Sequence, residues 1–474
     1  MALQLYRIPQ FRGINQSACE NSIDAGESPD ARNMDTAGGR LSVARGYARH
    51  HDAVHPAPAD VLRMGVWHAG GVRRFLTATA EGWQALAETG AAWETLAAFD
   101  APAVQADFQT VKIGSDEYLL LAGGAQQVLK WDGASAAAEP FGSAAQLSDV
   151  PAGLLELYYS RLFAAGDPAH PCRLYWSCAP GDARTVEDWS QNAASPNVGG
   201  GHVEVGTDSD PITGLFALSN QLLIFKRDSL YRLLGDRPGN YRIYPVSASM
   251  AQPAHTACVR VADVLYFLTA AGLYYFDGQT VRRAPDADKI QDFLAGADLS
   301  DCRAAACGDR LYFAVRAGAG AANDAIVVYD LSRRTYMIRD GFTVCGLCAD
   351  GGVLFLLTGE GRVCRFDEGE DYDGAPITAY WRTPMTDLGG KIAVKQLREL
   401  YLRGTGGVIA VEAISNGLTV FFDRLMPATL NDVLEAKLSG DGRAFCLRLS
   451  NEFGTHFTVD GGVELLFDAQ RRVL

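Results

Sequence analysis

The chain has 474 residues, 48% of them hydrophobic and 21% charged, a globular mixture long enough for two or three domains and a large core. Its formal net charge of −14 argues against generic binding to nucleic-acid phosphate, which needs positive charge facing it. No run approaches the ~20 apolar residues of a membrane span, and residues 1–9 lack the apolar centre of a secretion signal, so a soluble chain made in the cytosol is expected.

Fifty glycines lie between short apolar runs, as turns do in an all-β protein. Residues 1–60 read as a separate N-terminal arm of extended chain. Ser28-Pro29 offers one helical turn there, a capping residue followed by proline at the first helical position. Such a segment has too little apolar surface to fold alone and is expected to lie over another surface.

From residue 61 a repeat begins. Its clearest copy is 265–278, where two aromatic, β-prone runs flank Ala270-Ala271-Gly272 and close on Asp277-Gly278, the pattern of a β-hairpin. Matching copies anchor at Arg73, Tyr118, Leu162, Leu222, Leu265, Leu311 and Val353, and five of the six spacings lie between 42 and 46 residues. That is the period of propeller blades, four strands to a unit. Seven anchors predict a seven-bladed β-propeller over 61–370, with Phe267, Phe313 and Phe355 at matching sites. The one long spacing holds a polar insertion around 180–202, and loop insertions are where partners usually bind. Arg184, Asp188 and Trp189 are its candidate partner-facing residues.

The acidic stretch 367–374 fails the calcium-loop pattern and reads as a solvated linker. In 371–474 apolar and polar residues largely alternate, and Asn416-Gly417 and Asp441-Gly442 mark turns, predicting a C-terminal β-sandwich.

Chemistry is sparse. No zincin, nucleophile-elbow, phosphate-loop or dinucleotide-binding motif occurs, so no enzyme activity, cofactor or metal is expected. His51 and His55 stand four apart but next to Pro56 and Pro58, in a loop. The carboxylate pairs Asp208/Asp210 and Asp286/Asp288 read as turn residues. The ten cysteines are scattered through apolar runs and read as free thiols, and Cys345 and Cys348 form a lone CxxC pair without a second one.

Two ends of the chain resemble one group of proteins. Phe11-Arg12-Gly13-Ile14-Asn15, Gly26-Glu27-Ser28-Pro29, Ala31-Arg32-Asn33-Met34 and Gly39-Arg40-Leu41, with the C-terminal stretch 380–389 around Trp381 and Pro384, Lys395 and Gly461 to Leu465, resemble tailed-bacteriophage virion structural proteins of the propeller-bearing tail hub or nozzle. The resemblance covers roughly the first 46 and last 95 residues. It implies a homo-oligomeric ring, commonly a hexamer, stacked below the portal and adaptor of the virion tail. Such a ring retains DNA and passes it at ejection without sequence-specific binding and without a membrane. On this reading Phe11, Arg12, Gly13, Asn15, Glu27, Pro29, Asn33, Trp381 and Pro384 make assembly contacts. The alternatives are a tail-associated receptor or glycan binder using the Trp189 loop, and a hydrolase or lyase built on a propeller.

Overall fold

A computed structural model describes residues 3–124, 126–142, 150–181, 185–207, 209–247, 253, 255–427 and 432–470. The chain is all-β, and its strands form a seven-bladed propeller and a two-sheet sandwich. Five blades are separate four-stranded antiparallel sheets, starting at Arg63, Ala106, Leu154, Ile212 and Cys258. The sixth and seventh share one long strand, Thr335–Asp350, whose first half is the outer strand of blade six and whose second half is the inner strand of blade seven.

Each blade opens with a two-residue hairpin turn, at 70–71, 114–115, 159–160, 219–220, 262–263, 308–309 and 351–352. All seven anchors fall in the second strand of a blade, but the hairpin registers show that Tyr118 lies one residue late and Val353 one residue early. A one-residue slip moves a side chain to the other face. Phe267 and Phe313 are equivalent and turn to the preceding blade, whereas Phe355 turns to blade one and Leu356 holds the matching site.

The N-terminal segment is extended, but it is not a separate arm. Tyr47–Val54 pairs with Arg362–Phe366 as the outermost strand of blade seven, so the propeller is closed by joining the two ends of its own chain. Leu3–Ile8, Met34–Asp35 and Leu41–Val43 join Val394–Gly406, Asp432–Gly442 and Phe457–Gln470 in one sandwich sheet. Asp30–Arg32 joins Tyr380–Arg382, Cys446–Asn451, Ile409–Ser415 and Leu418–Leu425 in the other. Ser28-Pro29 leads into a strand, and the nearest helical turn is Glu20–Ser22. Asn416 and Gly417 turn a hairpin in the left-handed region, φ 52° and 75°, as that dipeptide predicts. Asp441-Gly442 instead ends a strand.

Six of the blade junctions have their own apolar clusters, while the core between blades six and seven runs without interruption into the sandwich, from Tyr312 and Leu356 to Trp381 and Leu400. Propeller and sandwich are therefore packed as one body. Tyr372, in the expected linker, is buried against Tyr47 with ring centroids 5.2 Å apart.

Candidate functional site

The inner strands of the blades pack side by side around the propeller axis. Gly65, Gly214 and Gly346 occupy the same level of three inner strands, each five residues before its hairpin turn. A Cβ at Gly65 would lie 2.1 Å from the Phe108 ring, and one at Gly346 would lie 2.8 Å from Met64 Sδ. Glycine is required at both because large side chains cross directly over the backbone.

At the end of the axis where the inner strands begin, Arg63, Asp107 and His255 stand at equivalent points of blades one, two and five. His255 Nε2 reaches Asp107 Oδ2 at 3.2 Å, spanning blades that are not neighbours. Arg63 Nε lies 3.5 Å from Asp107 Oδ1, Leu155 N donates to Oδ2 at 3.2 Å, and Phe216 stacks on the His255 ring. Asp107 and His255 are both buried. Burial pushes the Asp107 carboxyl upward, but the charges of His255 and Arg63 and the bonds it accepts outweigh this and hold it below the usual carboxylate range. From blade six, Arg303 crosses to blade one, donating to Val61 O at 2.7 Å and to Leu62 O, and it also bonds Asp301.

Burial drives the neighbouring thiols away from the reactive form, Cys345 up to about 11 and Cys302 up to about 12. Deeper in, burial raises Glu156 to about 7 despite the Arg260 charge. The arrangement pairs carboxylate, imidazole and guanidinium, and its evident chemistry is electrostatic. It fastens blade five to blade two and blade six to blade one.

A second charged cluster lies at the joint with the sandwich. Arg310 bonds Asp35 at 2.8 Å and lies 3.7 Å from Asp330 and 3.9 Å from Asp367, Arg339 donates to Met34 O at 2.9 Å, and Tyr312 Oη donates to Asp367 at 2.7 Å. Above it opens a cleft of about 680 Å³ walled by Arg45, Glu370, Thr405 and His456.

The nine residues expected to make assembly contacts are, apart from exposed Arg12, buried inside the chain. Phe11 packs edge-on against Trp381 at 5.6 Å. Asn15 donates to Glu27 at 2.6 Å, and Glu27 pairs with Lys289 at 2.7 Å. Gly13 has φ +95°, and a Cβ there would meet Tyr336 O at 2.9 Å. Pro29 O accepts from Gln16, and Pro384 lies buried beside Thr383. Asn33, at φ 54°, donates to Asp340 Oδ1 and Thr378 O, both at 2.8 Å, and accepts from Asp340 N and Tyr372 Oη. The buried residues among them pack inside the chain, at the joint of propeller and sandwich.

The partner-loop expectation also changes. Arg184 lies outside the described residues. Asp188 and Trp189 are buried, Trp189 in the core between blades two and three. The insertion folds back because buried Arg161 donates to Ser177 O and Asn197 O at 2.6 Å and to Gly199 O at 2.9 Å. His51 and His55 sit on the closing strand and beside it, and they turn to different partners, Ala53 N and Thr77 Oγ1. Asp208 is outside the described residues, while Asp210 accepts from Ser229 Oγ and Asp228 N within a turn. Arg63, Asp107, His255 and Arg303 were not singled out from sequence. The available signal was a lone charge or imidazole recurring at one phase of an apolar strand repeat.

No protein-family profile and no curated protein matches the chain. Among solved structures it is similar to BamB from Moraxella catarrhalis, at 11% identity and a TM-score of 0.41, covering 77% of this chain and 97% of that one. It is similar to BBS1N, solved in complex with ARL6DN, at 11% identity and a TM-score of 0.38, covering 68% and 98%. It is also similar to the extracellular domain of the putative hybrid two component system BT4673 from B. thetaiotaomicron, at 11% identity and a TM-score of 0.44, covering 83% of this chain and 47% of that one.

Proposed function

We propose that the chain is a structural subunit of a tailed-bacteriophage virion, of the tail hub or nozzle type, which assembles with copies of itself into a ring that retains and conducts genomic DNA. The short motifs at the two ends of the chain suggest the family. The observation that carries the reading further is the distribution of exposed large apolar side chains. Eight of the fourteen (Leu3, Leu5, Ile392, Leu418, Phe422, Met426, Val433 and Phe453) belong to the sandwich, although the propeller is by far the larger part. A solvated domain with that much outward apolar surface is a domain for contact with other protein.

The test has two arms. The native mass of the purified chain should be a closed multiple of the 50.9 kDa subunit, and peptides of the chain should be present in gradient-purified tailed particles in ring stoichiometry. A monomeric chain that is missing from such particles overturns the proposal.

A further inference from the structure

The two sheets of the sandwich leave unlike strands at their open edges. Leu418–Leu425 ends its sheet and pairs as a strand only with Ile409–Ser415 among the described residues, with Val420 lying against Gly440 of the other sheet. Leu3–Ile8 lies on the outer side of Phe457–Gln470 and likewise has one strand partner. Edge strands that meet only water are usually guarded by charge, lysine above all, or by proline. Asp432–Gly442, a third edge, follows that rule with exposed Glu435 and Lys437. Leu418–Leu425 and Leu3–Ile8 contain neither lysine nor proline; their basic residues, Arg424 and Arg7, are paired within the subunit to Glu452 and Glu464, and beside them Leu418 and Phe422, and Leu3 and Leu5, face solvent.

The surface beside Leu418–Leu425 has the composition of an interface core, where aromatics, methionine and arginine concentrate. Alternation places Phe422, Arg424 and Met426 on one side. The Arg424 guanidinium lies over the Phe422 ring at 4.8 Å and bonds Glu452 at 2.6 Å, which brings in the adjoining hairpin tip. At that tip Phe453 is 90% exposed and holds φ +53°. A bulky residue in the left-handed region is strained, by about 1 kcal/mol or more.

We infer that these two edges are the two halves of one contact between copies of this chain, with Leu418–Leu425 of one subunit lying along Leu3–Ile8 of the next. At about 3.4 Å per residue the six-residue strand spans roughly 20 Å and the eight-residue strand roughly 27 Å, so the shorter fits along the longer. Pairing Leu418–Leu425 with itself would leave Leu3–Ile8 open in every dimer, whereas head-to-tail pairing covers both edges with one kind of contact. Head-to-tail contacts are heterologous, and they close into rings when the rotation allows. Ring closure rests on the function proposed above; the contact itself rests on the two edges.

The experiment uses the full chain with exposed Cys19 replaced by serine. Leu5→Cys and Phe422→Cys are introduced singly and together, and air or copper-phenanthroline oxidation is followed on non-reducing gels. The double variant should give a ladder that stops at the ring size, and each single variant should stay uncrosslinked. In parallel, Phe422→Glu and Phe453→Ala should each raise the concentration of half-assembly at least tenfold in sedimentation velocity. Efficient crosslinking of Phe422→Cys alone overturns the head-to-tail contact. Rings that assemble as tightly in Phe422→Glu as in the unaltered chain also overturn it and leave the ring reading standing. A double-variant ladder without an end supports the contact and overturns the ring, while an unaltered chain that stays monomeric at every concentration overturns both.

Discussion

Removing the Asp107 carboxylate should be among the most damaging single changes in the propeller. The group accepts from His255 at 3.2 Å and from Leu155 N at 3.2 Å, and faces Arg63 at 3.5 Å, at a site only 2% exposed. Asp107→Ala strands two basic side chains and the amides of Phe108 and Leu155, and breaking a buried pair from one side costs about 3–5 kcal/mol. Asp107→Asn keeps an acceptor and should cost about 1–3 kcal/mol. Urea unfolding, at fixed protein concentration and with the slope checked for constancy, gives both values. The Asp107 pKa is lowered in the folded chain. Its contribution is therefore fully present above the unfolded carboxylate value of about 3.9 and is lost as pH falls through the lower folded value. The gap between the unaltered chain and Asp107→Asn should be flat from neutral pH down to about 5 and shrink below about 4. A double-mutant cycle of Asp107→Asn with His255→Phe should show a coupling above about 0.5 kcal/mol. Additive effects, or a gap that widens in acid, would refute the cross-axis contact.

Phe313→Ala should cost about 3–5 kcal/mol as a fully buried aromatic between blades five and six, and a loss below about 1 kcal/mol in urea would remove it from that core. Trp189→Ala should destabilise by a similar ~3–5 kcal/mol and shift the unfolding midpoint; a folded variant of unchanged stability would return Trp189 to the surface. Deleting residues 1–46 strips the sandwich of its N-terminal strands and uncovers Trp381, so the product should be rapidly proteolysed, and a protease-resistant, cooperatively folding product would contradict the woven topology. Six copies at −14 each carry 6 × 14 = 84 negative charges, so ring assembly should strengthen with salt as repulsion is screened. Short duplex DNA should bind the ring no tighter than about micromolar at low salt, and a tight, steeply salt-sensitive complex would indicate a basic lumen.

The propeller was legible because its blades repeat locally: a two-residue turn, an apolar strand and an aromatic before aspartate recur at nearly constant spacing. The phase was harder to read. Blade two starts its second strand with polar Asp116 and Glu117, which pushes the first apolar residue late, and blade seven starts with apolar Val353, which brings it early. The N-terminal segment was misread as an arm because its contacts lie some three hundred residues away, Asn33 with Asp340 and Phe11 with Trp381. No local period marks such partners. Trp189 was misjudged because its loop is polar throughout, and what folds the loop inward is Arg161, an unremarkable cation in sequence. Asp107 and His255 meet only because the propeller closes.

That closure also constrains how an assembly of this chain could conduct anything. With Phe108 and Met64 lying over the inner strands and His255 and Arg303 reaching across to other blades, no molecule as wide as a DNA duplex passes along the axis of a single propeller. A conduit in an assembled ring must then run between subunits, along surfaces that in one subunit face solvent. Acids exceed basic residues in the chain by 56 to 42, so walls with the average charge of the chain would be acidic. A channel with such walls would repel phosphate, which would suit passage without holding.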